Sequence, residues 1–263
     1  MIIFNRDPVV LVTLMALIVL GGLGFFVWEE IMTVRNFKKF SVYTKLVLIT
    51  SFILIVGGAV VIGALEWNNP QTIGEMSVTD KITNAFFQSV TVRTAGFAGV
   101  DQAVLTDGGK AVSIVLMFIG GASGSTAGGM KMVTVLVLVL FVISRARGRN
   151  TVTAFKRTVP HEKIMDAATI VLLILGLAVA GAIFITATSQ VSFLDALFET
   201  ASALATVGLT AGVTPTLPVA AKLMLIVFMY FGRVGILTIS LGFLMGNKAE
   251  SRFRYANTNL MIG

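Results

Sequence analysis

The chain has 263 residues, of which 56% are hydrophobic and only 13% charged, about half the charged share of a soluble domain, so an ordinary soluble enzyme is excluded and an integral membrane protein is implied. It has no cysteine and one histidine, which excludes disulfides, thiol catalysis and thiolate-bound metals and leaves little from which to build a zinc or di-iron centre. The net charge of +7 comes from basic residues in loops beside apolar runs, the positive-inside pattern and not a nucleic-acid-binding face.

Met1 to Asp7 is a short polar lead-in. Pro8 to Trp28 is nearly all apolar and long enough to cross a bilayer, which takes roughly 20 residues; it is too long for a secretory signal and no small-residue cleavage site follows. Gly21-Gly22-Leu23-Gly24 falls two-thirds of the way along it and resembles the later Phe118-Ile119-Gly120-Gly121, which predicts the inner span of a repeat whose own first span and loop would precede Met1. Glu29 to Lys45, carrying Arg35, Lys38, Lys39 and Lys45, reads as a cytoplasmic loop. Leu46 to Trp67 is the next span, with Gly57, Gly58 and Gly63 for close helix packing, and Asn68 to Ser77 is an outer loop.

Thr79 to Gln88 opens with helix-capping residues and predicts a short helix, followed by Ser89-Val90-Thr91-Val92-Arg93-Thr94-Ala95-Gly96-Phe97. A short helix and a Thr-x-Gly turn between two spans describe a re-entrant loop, and non-helical backbone at membrane depth survives only when buried in protein or lining a water-filled cavity. Glycine at 96 lets carbonyls line that cavity, the chemistry by which a filter replaces the hydration shell of potassium. A second copy strengthens the reading. At an offset of 112 positions Phe86 meets Phe198, Thr94 meets Thr206, Gly96 meets Gly208, Phe97 meets Leu209 and Lys110 meets Lys222. A parallel internal repeat is expected, with filter stretches Thr94-Ala95-Gly96-Phe97 and Thr206-Val207-Gly208-Leu209 and K+ held at Thr94, Gly96, Thr206 and Gly208.

Lys110 to Ser144 is long enough to span but is interrupted by Gly120-Gly121-Ala122-Ser123-Gly124-Ser125-Thr126-Ala127-Gly128-Gly129, whose five glycines disfavour a continuous helix. It reads as a flexible intramembrane loop under the filter, with a packed small-residue helix face as the alternative. Arg145 to Lys163 is a second cytoplasmic loop, and its His161 has no assigned role. Ile164 to Thr188 is a span, Ser192 to Glu199 starts the second re-entrant helix, Thr214 to Pro218 is an outer turn, and Ala220 to Met245 is the final span before a basic tail with Lys248, Arg252 and Arg254. Every segment obeys one orientation, with the C-terminus inside.

Arg233 lies mid-way along that final span, where a charge is costly and usually marks function. The predicted partner is the Gly-rich loop with its freed carbonyls, the two forming a gate below the filter, with Lys131 in the same switch; a snorkelling or locally paired arginine is the alternative. Arg93 is expected to brace its loop. Glu199 is read either as drawing cations to the outer mouth or as a capping and packing residue. No carboxylate lies mid-span to relay protons, which favours channel-like conduction.

These residues resemble the Trk/Ktr/HKT superfamily of potassium transporters, and within it the membrane subunit of bacterial Ktr systems. The resemblance is carried by Ser89 to Phe97, by Gly120 to Lys131 and by Phe231-Gly232-Arg233-Val234-Gly235. It implies an all-α polytopic membrane protein of repeated span–re-entrant pore loop–span units, four to a pore, with no enzymatic activity. On that plan residues 1–40 are the inner span of an incomplete repeat plus a loop, and residues 41–150 and 151–263 are complete repeats. The resemblance further implies K+ uptake at the cell membrane (Na+ being the alternative ion), a homodimer, a cytosolic nucleotide-binding regulatory ring that carries the only nucleotide, and missing N-terminal repeats from the same or another chain. The terminal Leu260-Met261-Ile262-Gly263 matches the family's C-terminus. A non-conducting scaffold that docks the ring and a secondary transporter for another solute are the rival readings.

Overall fold

The computed structural model describes residues 2–235, and their helices account for nearly all the regular structure. α1 (Pro8–Gly22) begins where Asp7 accepts from the amides of Val9 and Val10 at 3.0 and 3.2 Å, an N-cap followed by proline at the first helical position. The expected continuous span from Pro8 to Trp28 is not formed. α2 (Phe25–Val34) leaves α1 at an angle of 93°, so the supposed loop from Glu29 also begins as helix. The turn is made at Gly24, whose φ of 82° suits glycine and whose missing Cβ leaves room for the Ser123 carbonyl.

α3 (Val42–Glu66) and α7 (His161–Thr188) are the two helices among the described residues that are individually long and apolar enough to cross a membrane. Each is followed by a shorter helix, α4 (Val78–Thr91) and α8 (Phe193–Leu204), and then by an irregular loop and an ascending helix, α5 (Asp107–Phe118) and α9 (Val219–Val234). The short helices start alike: Ser77 caps the Asp80 amide and donates to its carboxylate, and Ser192 treats Asp195 in the same way. They also seat alike. Ser89 donates to the Ile55 carbonyl of α3 and Thr200 to the Ala178 carbonyl of α7, at contacts made close by Gly58 and Gly181.

These contacts correct the repeat register. Within the short helices the matching pairs are Phe87 with Phe198, both fully buried, Ser89 with Thr200, and Thr91 with Ser202, an offset of 111. The gapless offset of 112, with Phe86 opposite Phe198, holds only from the loops onward, because the second loop carries one residue more between its anchoring hydroxyl and the carbonyl it binds.

α6 (Met132–Ala146) resumes the chain after the Gly-rich segment, and a hairpin of β1 (Thr153–Ala154) and β2 (Arg157–Thr158) stands in the second basic loop. Its turn residues Phe155 and Lys156 both have positive φ, the geometry of a tight hairpin turn. The main core joins α5, α7, α8 and α9 through Met117, Ile185, Phe198 and Leu225; a smaller core of Leu23, Val27, Val47 and Met132 packs α2 against α3 and α6. Phe52, Leu172 and Leu223 are among many large apolar side chains left exposed, a surface fit for lipid. α9 ends at Gly235, with φ of 93°, so the expected uninterrupted span from Ala220 to Met245 is broken there. Met1, the rest of that stretch and the basic tail, including Leu260 to Gly263, lie outside the described residues.

Candidate functional site

Both short helices end where the chain turns into an irregular loop, so the partial negative charge of each helix C-terminus is directed at its loop. In the first loop Thr94 and Gly96 have φ of 69° and 75°, and in the second Thr206 and Gly208 have φ of 54° and 90°, with Ala95 and Val207 between them at negative φ. Alternating the hand of successive residues turns successive carbonyls toward one side, which makes a short ladder of oxygens. Sequence reasoning singled out both the threonines and the glycines; it missed the left-handed backbone of the threonines, because a β-branched residue at positive φ is a conformational outlier that no local pattern announces.

Hydroxyls at the helix ends hold both loops in shape. Thr91 accepts from the Phe97 amide at 2.8 Å and donates to the Phe97 carbonyl at 2.7 Å. Ser202 accepts from the Gly208 amide at 3.2 Å and donates to the Leu209 carbonyl at 2.6 Å. Behind the first loop the amides of Gln88 and Gln102 pair, and Gln102 also donates to the Val100 carbonyl at 2.7 Å. Behind the second, the Glu199 carboxylate accepts from the hydroxyls of Thr210 and Thr214 and from the Ala211 amide. Of the two roles weighed for Glu199, the geometry is that of a tie between helix and loop.

The loops touch. A Cβ on Gly96 would overlap the Val207 carbonyl oxygen, whereas one on Gly208 would meet nothing within 4 Å among the described residues. Gly208 faces a cavity of about 500 Å³ that Thr206, Leu225, Met229 and Arg233 also line. Lys110 of α5 and Asp195 of α8 form an ion pair at 2.7 Å that fastens the two repeats together.

The Gly-rich segment, residues 119–131, lies directly below. It is not helical: Ile119 and Met130 form a parallel bridge, with the Gly120 amide donating to the Met130 carbonyl at 2.8 Å. Gly128 abuts the Thr206 side chain and Gly129 the backbone of Ala205, so glycine at each permits the approach to the second loop. The N-terminal bend holds the other end, the Ala122 amide donating to the Gly22 carbonyl at 2.9 Å and the Phe25 amide to the Gly124 carbonyl at 3.2 Å. Arg233 donates to the Thr126 carbonyl at 2.6 Å, and the Gly129 amide donates to the Gly232 carbonyl at 3.4 Å. Lys131 donates to the Ala127 carbonyl within the segment. Arg233 thus sits in the last turn of α9 and not in mid-helix, where its charge complements the helix C-terminus. Arg93 lines a small cavity together with Ile18 and Val19 of α1, Ser51 of α3 and Gly121, and its buried Nε has no hydrogen-bond partner among the described residues.

Residues 1–254 match the family model described as TrkH, cation transport protein. The chain is 37% identical to the Ktr system potassium uptake protein B of Bacillus subtilis (strain 168), covering 98% of this chain and 57% of that one. It is 36% identical to the potassium/sodium uptake protein NtpJ of Enterococcus hirae over 94% of this chain and 56% of that one, and 36% identical to the Ktr system potassium uptake protein B of Vibrio alginolyticus over 100% and 58%. The chain therefore spans a little over half the length of these curated relatives. Among solved structures, the potassium transporter TrkH from Vibrio parahaemolyticus superposes with a TM-score of 0.72 at 22% identity, covering 89% of this chain and 52% of that one, a likeness of fold.

Proposed function

The chain belongs to the TrkH family of cation transport proteins, and from that premise we propose that it is part of the pore-forming membrane subunit of a potassium uptake system. The observation that carries the reading is the paired alternation of φ at Thr94/Gly96 and Thr206/Gly208 in two loops that touch, each at the C-terminus of a short helix. In this reading, carbonyls of Thr94 to Phe97 and of Thr206 to Leu209 supply two sides of a filter, with K+ at Thr94, Gly96, Thr206 and Gly208. Further repeats complete the ring. Carbonyl dipoles replace the hydration shell of the ion, and the helix C-termini add negative potential without a fixed anion that would hold the ion too tightly.

Below the filter the Gly-rich segment, Gly120 to Gly129 with Lys131, is the gate. Arg233 holds it shut through Thr126, and Gly128 against Thr206 blocks the passage until the segment moves. The homodimer, the cytosolic nucleotide-binding ring and the cytoplasmic C-terminus belong to the same proposal; the basic helix ends are where such a ring would act.

The test is K+ uptake at limiting external K+, in cells lacking their own uptake systems, by the chain together with its N-terminal repeats. Loss of uptake on substituting either filter glycine, in protein that inserts normally, is the expected result. Normal uptake by both variants would sink the filter assignment and favour a scaffold. The printed name of the Enterococcus hirae relative includes sodium, so competition by Na+ belongs in the same assay.

A further inference from the structure

We propose that the cavity between the α2–α3 junction, α6, the hairpin and α7 binds the phosphate headgroup of an anionic phospholipid. The cavity measures about 1010 Å³, and Lys39, Lys45, Arg157 and Lys163 line it against a single carboxylate among the described residues, Asp166. That carboxylate satisfies little of the charge: it stands 3.4 Å from Lys163 with both side chains mostly exposed. Lys45 is pre-positioned, donating to the Lys38 carbonyl at 2.8 Å with its ammonium 5.7 Å from the centre of the Phe155 ring.

α7 supplies a second source of positive potential. Its N-cap is Pro160, with no side chain capping the first turn, and Pro160 itself lines the cavity. The open amides and the dipole of this 28-residue helix therefore bear on the same space. The inner walls are apolar, formed by Val133, Val137, Ile170 and Phe155. A basic rim over apolar walls, at the ends of α3, α6 and α7, matches a lipid phosphate with its acyl chains.

One wall of the cavity is the gate segment itself. Ser123 lines it, and the Tyr43 hydroxyl donates to the Ser123 carbonyl at 3.2 Å. A bound headgroup would settle the α3 terminus that carries Tyr43 and so bias the segment. This effect on flux rests on the gating role proposed above; the binding does not.

The experiment reconstitutes the purified protein in nanodiscs of phosphatidylcholine with or without phosphatidylglycerol and counts retained lipid by native mass spectrometry. Selective retention of phosphatidylglycerol is expected, falling roughly fivefold for each cavity cation removed and so about 25-fold in R157Q/K163Q. Arg149→Gln, in the same basic loop but outside the cavity, should retain lipid as the parent does. Equal retention of both lipids, unchanged retention in R157Q/K163Q, an equal loss in R149Q, or displacement by inorganic phosphate alone would each overturn the lipid site. Tyr43→Phe should keep the lipid while K+ flux stops responding to it. Selective binding in a parent protein whose flux ignores phosphatidylglycerol would overturn the gating role and leave the site standing.

Discussion

The two irregular loops, at Thr94 to Phe97 and at Thr206 to Leu209, have the same backbone alternation and different surroundings. The first is enclosed: the Val207 carbonyl fills the space beside Gly96, and behind it a neutral amide pair, Gln88 with Gln102, holds the return chain. The second meets no described residue beside Gly208, the side left to the further repeats, and a carboxylate, Glu199, gathers two hydroxyls and an amide there. Equivalent sequence positions therefore have unlike neighbours within this chain. Loop geometry depends on the anchoring hydroxyls Thr91 and Ser202, which are shared, while sensitivity to substitution depends on what stands beside each loop.

The largest expected effect sharpens that contrast directly. Gly96→Ala adds a Cβ into the Val207 carbonyl and imposes a left-handed φ that costs an L-residue about 1–2 kcal/mol; K+ uptake should fall at least roughly 100-fold. Within this chain Gly208→Ala meets only the conformational cost, about 1–2 kcal/mol by the same principle, so thermal unfolding of this chain in detergent should show the smaller loss of stability. Equal losses of stability in this chain would break the comparison.

Next come the anchors. Glu199→Gln turns an acceptor of three hydrogen bonds into a group that must also place two donors, and should cost about 1–3 kcal/mol of stability. Gln88→Leu, which still leaves Gln102 its bond to the Val100 carbonyl, should cost less, about 1 kcal/mol. Thermal unfolding in detergent ranks the pair, and the reverse order would contradict the account. Arg233→Ala removes a charged donor from the Thr126 carbonyl and should raise basal flux about tenfold, within the range for a charge-assisted bond; unchanged or reduced flux in protein that inserts normally would remove Arg233 from the gate. The smallest effect is expected where the two repeats are fastened: Asp195→Asn weakens the partly exposed pair with Lys110 and should cost about 1 kcal/mol, shifting the melting temperature with little change in uptake.

The parts of this architecture legible in the sequence are those written in residue type. Long apolar runs place the spans, the Ser-x-x-Asp starts and Thr-x-Gly ends bracket the short helices, and five glycines in ten residues mark the broken stretch below. Other features depend on tertiary neighbours. Phe86 and Phe87 are indistinguishable as letters, and only burial shows that Phe87 matches Phe198. The 93° bend after Gly22 is invisible because glycine permits a turn without requiring one; the Ser123 carbonyl against Gly24 requires it. Thr94 and Thr206 are placed in the Thr-x-Gly turns by their sequence, but their left-handed φ is not announced by residue type and goes with the hydroxyl anchors Thr91 and Ser202. Arg233 reads as a mid-span charge because nothing in the composition announces that Gly235 ends its helix.

The central claim is that carbonyls of both loops face one ion path. The most direct measurement is anomalous scattering from crystals of the protein with its remaining repeats, grown in Tl+ in place of K+. The account predicts anomalous peaks between the two loops, level with the carbonyls of Thr94, Gly96, Thr206 and Gly208. Peaks confined to other sites, with none between the loops, would contradict it.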